Sequence, residues 1–137
     1  MDFNKISHLF SNGVRVVNAT PHPLNFLSPE GETVVVPSSV PDGEKTGPAV
    51  INARAVEVHV GEFLVDTDFV PTADGEEIIA KISDFFREEG GKTFIIGSMI
   101  AANAYSDVVG MCPAPGFERV PPAQKLMACD KFTRGKA

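Results

Sequence analysis

The residues of this 137-residue chain that could do chemistry are few, and they gather toward its C-terminal end. In Gly91–Pro115, the run Thr93–Ile96 reads as a buried strand of β-branched and aromatic residues. Gly97-Ser98 then opens an alanine-rich helix over Met99–Tyr105, with Ser98 as its N-cap. A strand followed at once by a helix N-terminus points backbone N–H groups outward, so Gly97 and Ser98 are candidates for meeting an anion. Ser98 capping only its own helix is the plainer role. Phe94 or Phe117 could stack on a base, Asn103 could hydrogen-bond it, and Arg119 with Lys125 could neutralise phosphate. Each also has an ordinary role: phenylalanines in a core, Asn103 at a polar helix position, Arg119 as a surface charge. Together they suit holding a ligand more than transforming one.

Catalytic patterns are missing by comparison. His22, in Thr20-Pro21-His22-Pro23, is the most enzyme-like histidine, because the flanking prolines hold it rigidly. A histidine in such a turn serves the turn first, so His22→Ala is expected to lower stability more than ligand capture. Asp66 and Asp68 share one side of a strand and could face a cation, but no third oxygen ligand stands near them. Cys112 and Cys129 lack zinc-site spacing and, with no export signal in MDFNKISHLF, read as reduced thiols. No GxSxG, GxGxxG or GxxxxGK[ST] occurs, so no catalytic residue, metal or cofactor is expected.

Charge narrows the partners. The net charge is −6, yet residues 1–110 hold 16 acidic against 7 basic side chains, while residues 111–137 carry Arg119, Lys125, Lys131, Arg134 and Lys136 against Glu118 and Asp130. An acidic body excludes a broad duplex-binding surface, which needs many phosphate contacts. The basic end suits one anionic ligand. No run approaches the length of a membrane span.

The elements that must position these residues read as α+β: an antiparallel sheet from the N-terminal half, then two C-terminal helices and short strands. A short helix is expected within 1–11, then strands at 14–17, 24–27 and 32–37, the last two joined by the Ser28-Pro29-Glu30-Gly31 turn. Residues 38–48 read as a loop, 49–60 and 61–70 as strands, and 107–111 as a strand ended by prolines. Ile78, Ile79, Ile82, Phe85 and Phe86 make an apolar stripe, so 74–89 reads as a helix with Asp74, Glu76 and Glu77 in its first turn. One domain over 1–137 is expected, with a mobile tail from about 131. The alanine-rich helix and the apolar 108–117 segment offer surface for a homo-oligomer, a dimer or larger.

Asn18-Ala19-Thr20-Pro21-His22-Pro23, Val36-Pro37-Ser38-Ser39, Ala53-Arg54, Phe94–Ala102 and Asp107-Val108-Val109, followed by a proline-rich segment, together resemble a group of small phage proteins, the Thoeris anti-defence sponges. The resemblance implies a non-catalytic protein of the host bacterial cytoplasm. It would bind and sequester a cyclic ADP-ribose-type signal, or a cyclic oligonucleotide, and so block host defence. It implies an antiparallel sheet with C-terminal helices, and ligand pockets between the subunits of a homo-oligomer. Carried onto this sequence, it marks Phe94, Ser98 and Asn103 in the matching strand and helix, then Arg119 and secondarily Lys125 as phosphate contacts. Pro-Ser-Ser-Val stands where that group usually has Pro-Ser-Gly, and Pro121-Pro122 is a further departure. The competing expectation is a phage structural or assembly-interaction protein with no small-molecule ligand.

Overall fold

A computed structural model describes all residues, 1–137. The fold is α+β. Its strands are β1 (Ser7–Leu9), β2 (Val14–Asn18), β3 (Leu24–Leu27), β4 (Thr33–Val36), β5 (Arg54–His59), β6 (Val65–Val70), β7 (Lys92–Ile96), β8 (Val108–Pro113) and β9 (Met127–Arg134). Two helices, α1 (Ala73–Phe85) and α2 (Met99–Ala104), flank β7 in sequence. Seven strands form one sheet in the order β1-β2-β7-β8-β9-β3-β4, and β5 with β6 forms a separate hairpin.

The sheet is mixed, where an antiparallel one from the N-terminal half was expected. Strands β7, β8 and β9 from the C-terminal half insert between β2 and β3, and β2–β7, β7–β8 and β3–β9 are parallel pairs. Its flanks curl toward each other like a barrel. Phe10, just after β1, meets the Phe26 ring on β3 with centroids 5.7 Å apart, and Asn18 on β2 reaches the carbonyl of Val36 on β4.

Strand alternation splits the core in two. Val16, Phe26, Val36, Ile96 and Cys129 point into the curl, whereas Val17, Ile95 and Val108 point outward against Phe3, Ile82, Phe86 and α2. Burial of side chains such as Phe26 and Ile82, both at 0% exposure, contributes about 1.5–3 kcal/mol each.

Helix α1 follows from its stripe and its cap: Thr72 Oγ1 accepts from the Gly75 amide at 3.0 Å. The helix ends at Phe85, ahead of the expected Glu89, and Phe86 to Glu88 continue as a turn. Tyr105 locks α1 to the rest of the fold. Its hydroxyl accepts from the Thr72 amide and donates to the Asn52 carbonyl, both at 2.8 Å. A Cβ on Gly75 would fall 2.0 Å from that hydroxyl, so the helix can approach only with glycine there.

Other boundaries shift. Phe3–Ile6 is a single 3₁₀ turn and Ser7–Leu9 a strand, in place of a short helix. Residues 49–53 are irregular, with Ala49, Val50 and Ile51 buried, and the strand starts at Arg54. The region expected as a tail from about 131 is strand through Arg134, and the Lys136 amide donates to Asn103 Oδ1 at 2.9 Å.

Both cysteines are free. Burial, with the neighbouring charge of Asp130 second, pushes the Cys129 thiol above its ordinary pKa. At neutral pH it is a protonated core group, and thiolate is the reactive form. Iodoacetamide is therefore expected to modify half-exposed Cys112 first and Cys129 only on unfolding. Mass mapping of the alkylated sites with and without urea checks this, and equal labelling of both in the native protein would contradict it.

Candidate binding rim

Strands β2, β7 and β8 run in the same direction, and their registers set Asn18 opposite Ile96 and Ile96 opposite Val109. Their C-terminal ends therefore deliver three connections to one side of the sheet: Ala19–Pro23, Gly97-Ser98 and the 114–126 loop that follows β8. Crevices beyond the carboxyl ends of parallel strands are recurrent ligand sites in open α/β sheets.

The Ala19–Pro23 connection is organised by Asn18, which is fully buried. Its Nδ2 donates to the carbonyls of His22 (2.8 Å), Val36 (3.1 Å) and Pro37 (3.2 Å). Its Oδ1 accepts from the Thr20 amide (2.9 Å) and hydroxyl (2.7 Å). One side chain thus ties β2 to the end of the β3–β4 hairpin. Ser38 extends the network by donating to the Thr20 carbonyl at 2.9 Å. The His22 side chain is exposed, and the residue enters the network through its backbone alone. Its expected contribution to stability through the side chain is therefore corrected.

The residues singled out from the sequence divide into two groups. Phe94 stacks on Phe132 with centroids 4.5 Å apart at 26°, inside the curl of the sheet, so its ring already has a partner. Gly97 is buried, its amide donates to the Val109 carbonyl at 3.0 Å, and a Cβ there would lie 2.5 Å from Val108 Cγ1. Ser98 Oγ accepts from the Ala101 amide at 3.1 Å, and the helix it caps has only six residues. Asn103 holds the C-terminal segment through Lys136. Each of these four thus has a contact within the fold.

Arg119 and Lys125 form the second group, on the 114–126 loop, with Arg119 exposed and Lys125 half-buried. The ion pairs of the chain lie elsewhere: Arg15–Glu89, Lys81–Glu77 and Arg87–Asp84. Glu118, beside Arg119 in sequence, accepts from the Gly116 amide at 3.0 Å. Both loop cations are thus without an ion-pair partner. No hydrogen bond joins them to Ser98 or Asn103.

Arg15 was not among the sequence candidates. It lies on β2 between Val14 and Val16, which face into the curl, so alternation turns it outward beneath α1. Its guanidinium carbon sits 4.8 Å from the Phe86 ring centroid, and Glu89 is 3.9 Å from Nη2. Nη1 is buried without a hydrogen-bond partner, leaving the ring face as its main compensation. A lone arginine in a valine-rich strand was the available signal.

Asp66 and Asp68 share one face of β6, as their spacing predicts, but stand opposite Val58 and Val56 on the exposed hairpin. No group of three or more histidine, cysteine or carboxylate side chains is arranged to hold a metal ion. A groove of about 650 Å³ lies away from the rim, between the N-terminal turn and α1, lined by Met1, Phe3, Pro48, Ile78 and Phe85 among others. No helix is long and apolar enough to cross a membrane. Comparison with known proteins finds no matching family model, no matching curated protein and no matching solved structure.

Proposed function

We propose that this chain is a non-catalytic binding protein that captures a small anionic signal of the cyclic nucleotide type and withholds it from its receptor. The resemblance to the phage Thoeris anti-defence sponges supplies the ligand class, a cyclic ADP-ribose isomer or a cyclic oligonucleotide. It also supplies the setting, the cytoplasm of an infected bacterium. One observation carries the placement of the site: Arg119 and Lys125 stand without ion-pair partners on the loop that follows parallel strand β8. In a chain of net charge −6, a dianion is repelled unless a local cluster overrides the field, and the basic excess lies in residues 111–137.

Arg119 is the stronger of the two cations for this role, because a planar guanidinium grips phosphate oxygens bidentately and lysine cannot copy that geometry. A charge-assisted contact of this kind contributes about 1.5–3 kcal/mol. Arg119→Ala is therefore expected to weaken binding on the order of tenfold to a hundredfold, with Arg119→Lys restoring only part. Calorimetric titration of the three proteins with cyclic ADP-ribose isomers measures this, and equal affinities would move the phosphate site elsewhere. Heating the complex and assaying the supernatant separates the reaction classes: a sponge returns intact ligand, an enzyme returns product.

The second reading, a phage structural or assembly-interaction protein, is favoured by one feature. The β5–β6 hairpin is exposed along nearly its whole length and ends in Phe63 and Leu64, which are 89% and 67% exposed.

A further inference from the structure

The curled sheet does not close. Its strand order ends in β1 on one side and β4 on the other, and these two share no ladder. A cleft of about 460 Å³ lies between them, lined by His8, Phe10 and Ser11 from one edge and by Glu30, Glu32 and Val34 from the other. Two side chains hold the edges in place without pairing them. Before β4 the Ser11 hydroxyl donates to the Glu30 carboxylate, and at its end Asn18 reaches the Val36 carbonyl at 3.1 Å.

The register decides which backbone groups face this cleft. In an antiparallel pair, opposite residues alternate between exchanging both backbone bonds and turning their N–H and C=O away. The Ser28 amide donates to the Glu32 carbonyl, so Phe26–Val34 and Leu24–Val36 are bonded pairs, and Thr33 and Val35 turn their groups to the free edge. The Phe10 amide donates to the Val14 carbonyl, so His8–Val16 is bonded and Leu9 turns outward in the same way. Because β4 pairs with β3 alone and β1 with β2 alone, these amides and carbonyls have no partner in the chain. Free edges are ordinarily guarded by a charge, a proline or a bulge. The strand Thr33-Val34-Val35-Val36 has none of these, and Val35 is 58% exposed.

The geometry points to an extended, basic peptide segment of another protein as the occupant: it enters the cleft as one more strand, bonded to β4 on one side and β1 on the other, and closes the curl into a barrel. Alternation fixes the side chains it carries. His8, opposite Val16, faces inward with Phe10, their rings 4.7 Å apart, and Val34 faces inward from β4. An inward residue of the peptide beside these groups is apolar. The inward residue next to the β3–β4 turn meets Glu30 and Glu32, which are in no ion pair, and no lysine or arginine lines the cleft, so that residue is a cation. Arg15, on the neighbouring strand, turns to the outer face. The recognised pattern is thus a lysine or arginine two positions from an apolar residue. A second copy of this chain does not fit, because β4 looks across at β1 and the Ser11–Glu30 bond spans the gap, leaving room for a single strand and not for the edge of a folded sheet. Peptide capture does not rest on the nucleotide reading and is measured without any nucleotide present.

Amide hydrogen exchange of the full chain, read by NMR during titration with the blocked peptide Lys-Thr-Val-Thr-Val-Thr and with its reverse, tests this. One of the two directions is expected to bind, and the Leu9, Thr33 and Val35 amides, which exchange freely in the chain alone, to become protected. The same peptide N-methylated at its threonines keeps its side chains but loses backbone donors, and is expected to bind at least about tenfold more weakly. A peptide headed by glutamate in place of lysine is expected to bind more weakly too, and Glu30→Lys with Glu32→Lys to reverse that preference. Val35→Pro removes an edge donor and leaves the β3–β4 ladder whole, so it is expected to keep the parent's circular dichroism and lose about tenfold in affinity. The proposal is overturned if neither direction protects the three amides, or if they are already protected in the free chain. Protection that rises with protein concentration alone overturns it as well, by placing a second copy at the edge. So does equal binding of the N-methylated peptide, or of the lysine- and glutamate-headed ones.

Discussion

Asn18→Ala is expected to be the most damaging single substitution on the rim, costing about 3–5 kcal/mol as two or three buried groups lose partners at about 1–3 kcal/mol each. That is a large share of the roughly 5–15 kcal/mol that holds a domain of this kind together. The carbonyls of Val36 and Pro37 and the amide of Thr20 are bonded to this side chain, at a position with 0% exposure, and the His22 carbonyl shares it with the Thr20 hydroxyl. Asn18→Asp makes a sharper test, because it keeps the shape. It would remove the Nδ2 donor and set carboxylate oxygens against the three carbonyls, so it is expected to be at least as destabilising as alanine. His22→Ala, which removes only an exposed ring, is expected to stay within about 0.5 kcal/mol of the parent. Urea unfolding of the three variants provides the comparison. An Asn18→Ala protein with the parent midpoint would mean that water replaces the amide and the hub holds nothing.

The contrast between Asn18 and His22 shows what was legible in the sequence. The segment Asn18–Pro23 stands out by composition, and the eye goes to its titratable residue, yet the chemistry of the segment is hydrogen bonding by a buried amide. Its partners Val36 and Pro37 lie 18 and 19 residues away, and nothing in a strand of valines marks the residue that must reach them. Local signals read well: the stripe of α1, the Ser98 cap and the β3–β4 turn are each decided within a few residues. Non-local ones do not. Val14–Asn18 and Lys92–Ile96 pair in parallel across more than 70 residues, so the mixed sheet order could not be read from either strand.

Strand β9 was missed for a related reason. MACDKFTR looks like a charged terminus, and it becomes a strand because β3 and β8 bracket it and supply its hydrogen bonds. The candidate site followed the same division. Ser98 caps its own helix by a short-range rule, whereas Phe94, Gly97 and Asn103 make contacts with Phe132, Val109 and Lys136, all distant in sequence. Arg119 and Lys125 are in no ion pair, and their charge remains available.

Gly91→Ala is the second substitution expected to have a large effect, and neighbouring glycines allow its cost to be separated into parts. Gly91 has φ of +84° in the turn that leads from α1 into β7, and a Cβ there would lie 2.2 Å from the Gly13 carbonyl oxygen. That oxygen belongs to the backbone and accepts from the Lys92 amide at 2.9 Å, so it cannot move aside without loosening the first contact between β2 and β7. The left-handed conformation alone costs about 1–2 kcal/mol for a residue with a Cβ. The clash adds to it, giving a total of about 2–4 kcal/mol, within the range of backbone-strain substitutions. Gly31→Ala isolates the first part: its φ is also +84°, but a Cβ there meets nothing within 4 Å. Gly90→Ala has neither problem and is expected to be neutral or slightly stabilising, because alanine restricts the unfolded chain. Thermal unfolding should therefore rank the variants Gly90, Gly31, Gly91 from least to most destabilised. The β2–β7 register that Gly91 starts at Val14–Lys92 ends at Asn18–Ile96, so the turn at one end of the strands sets where the rim stands at the other. If Gly91→Ala and Gly31→Ala lose equal stability, the carbonyl of Gly13 yields freely, and the pairing of β2 with β7 is fixed by the strands themselves.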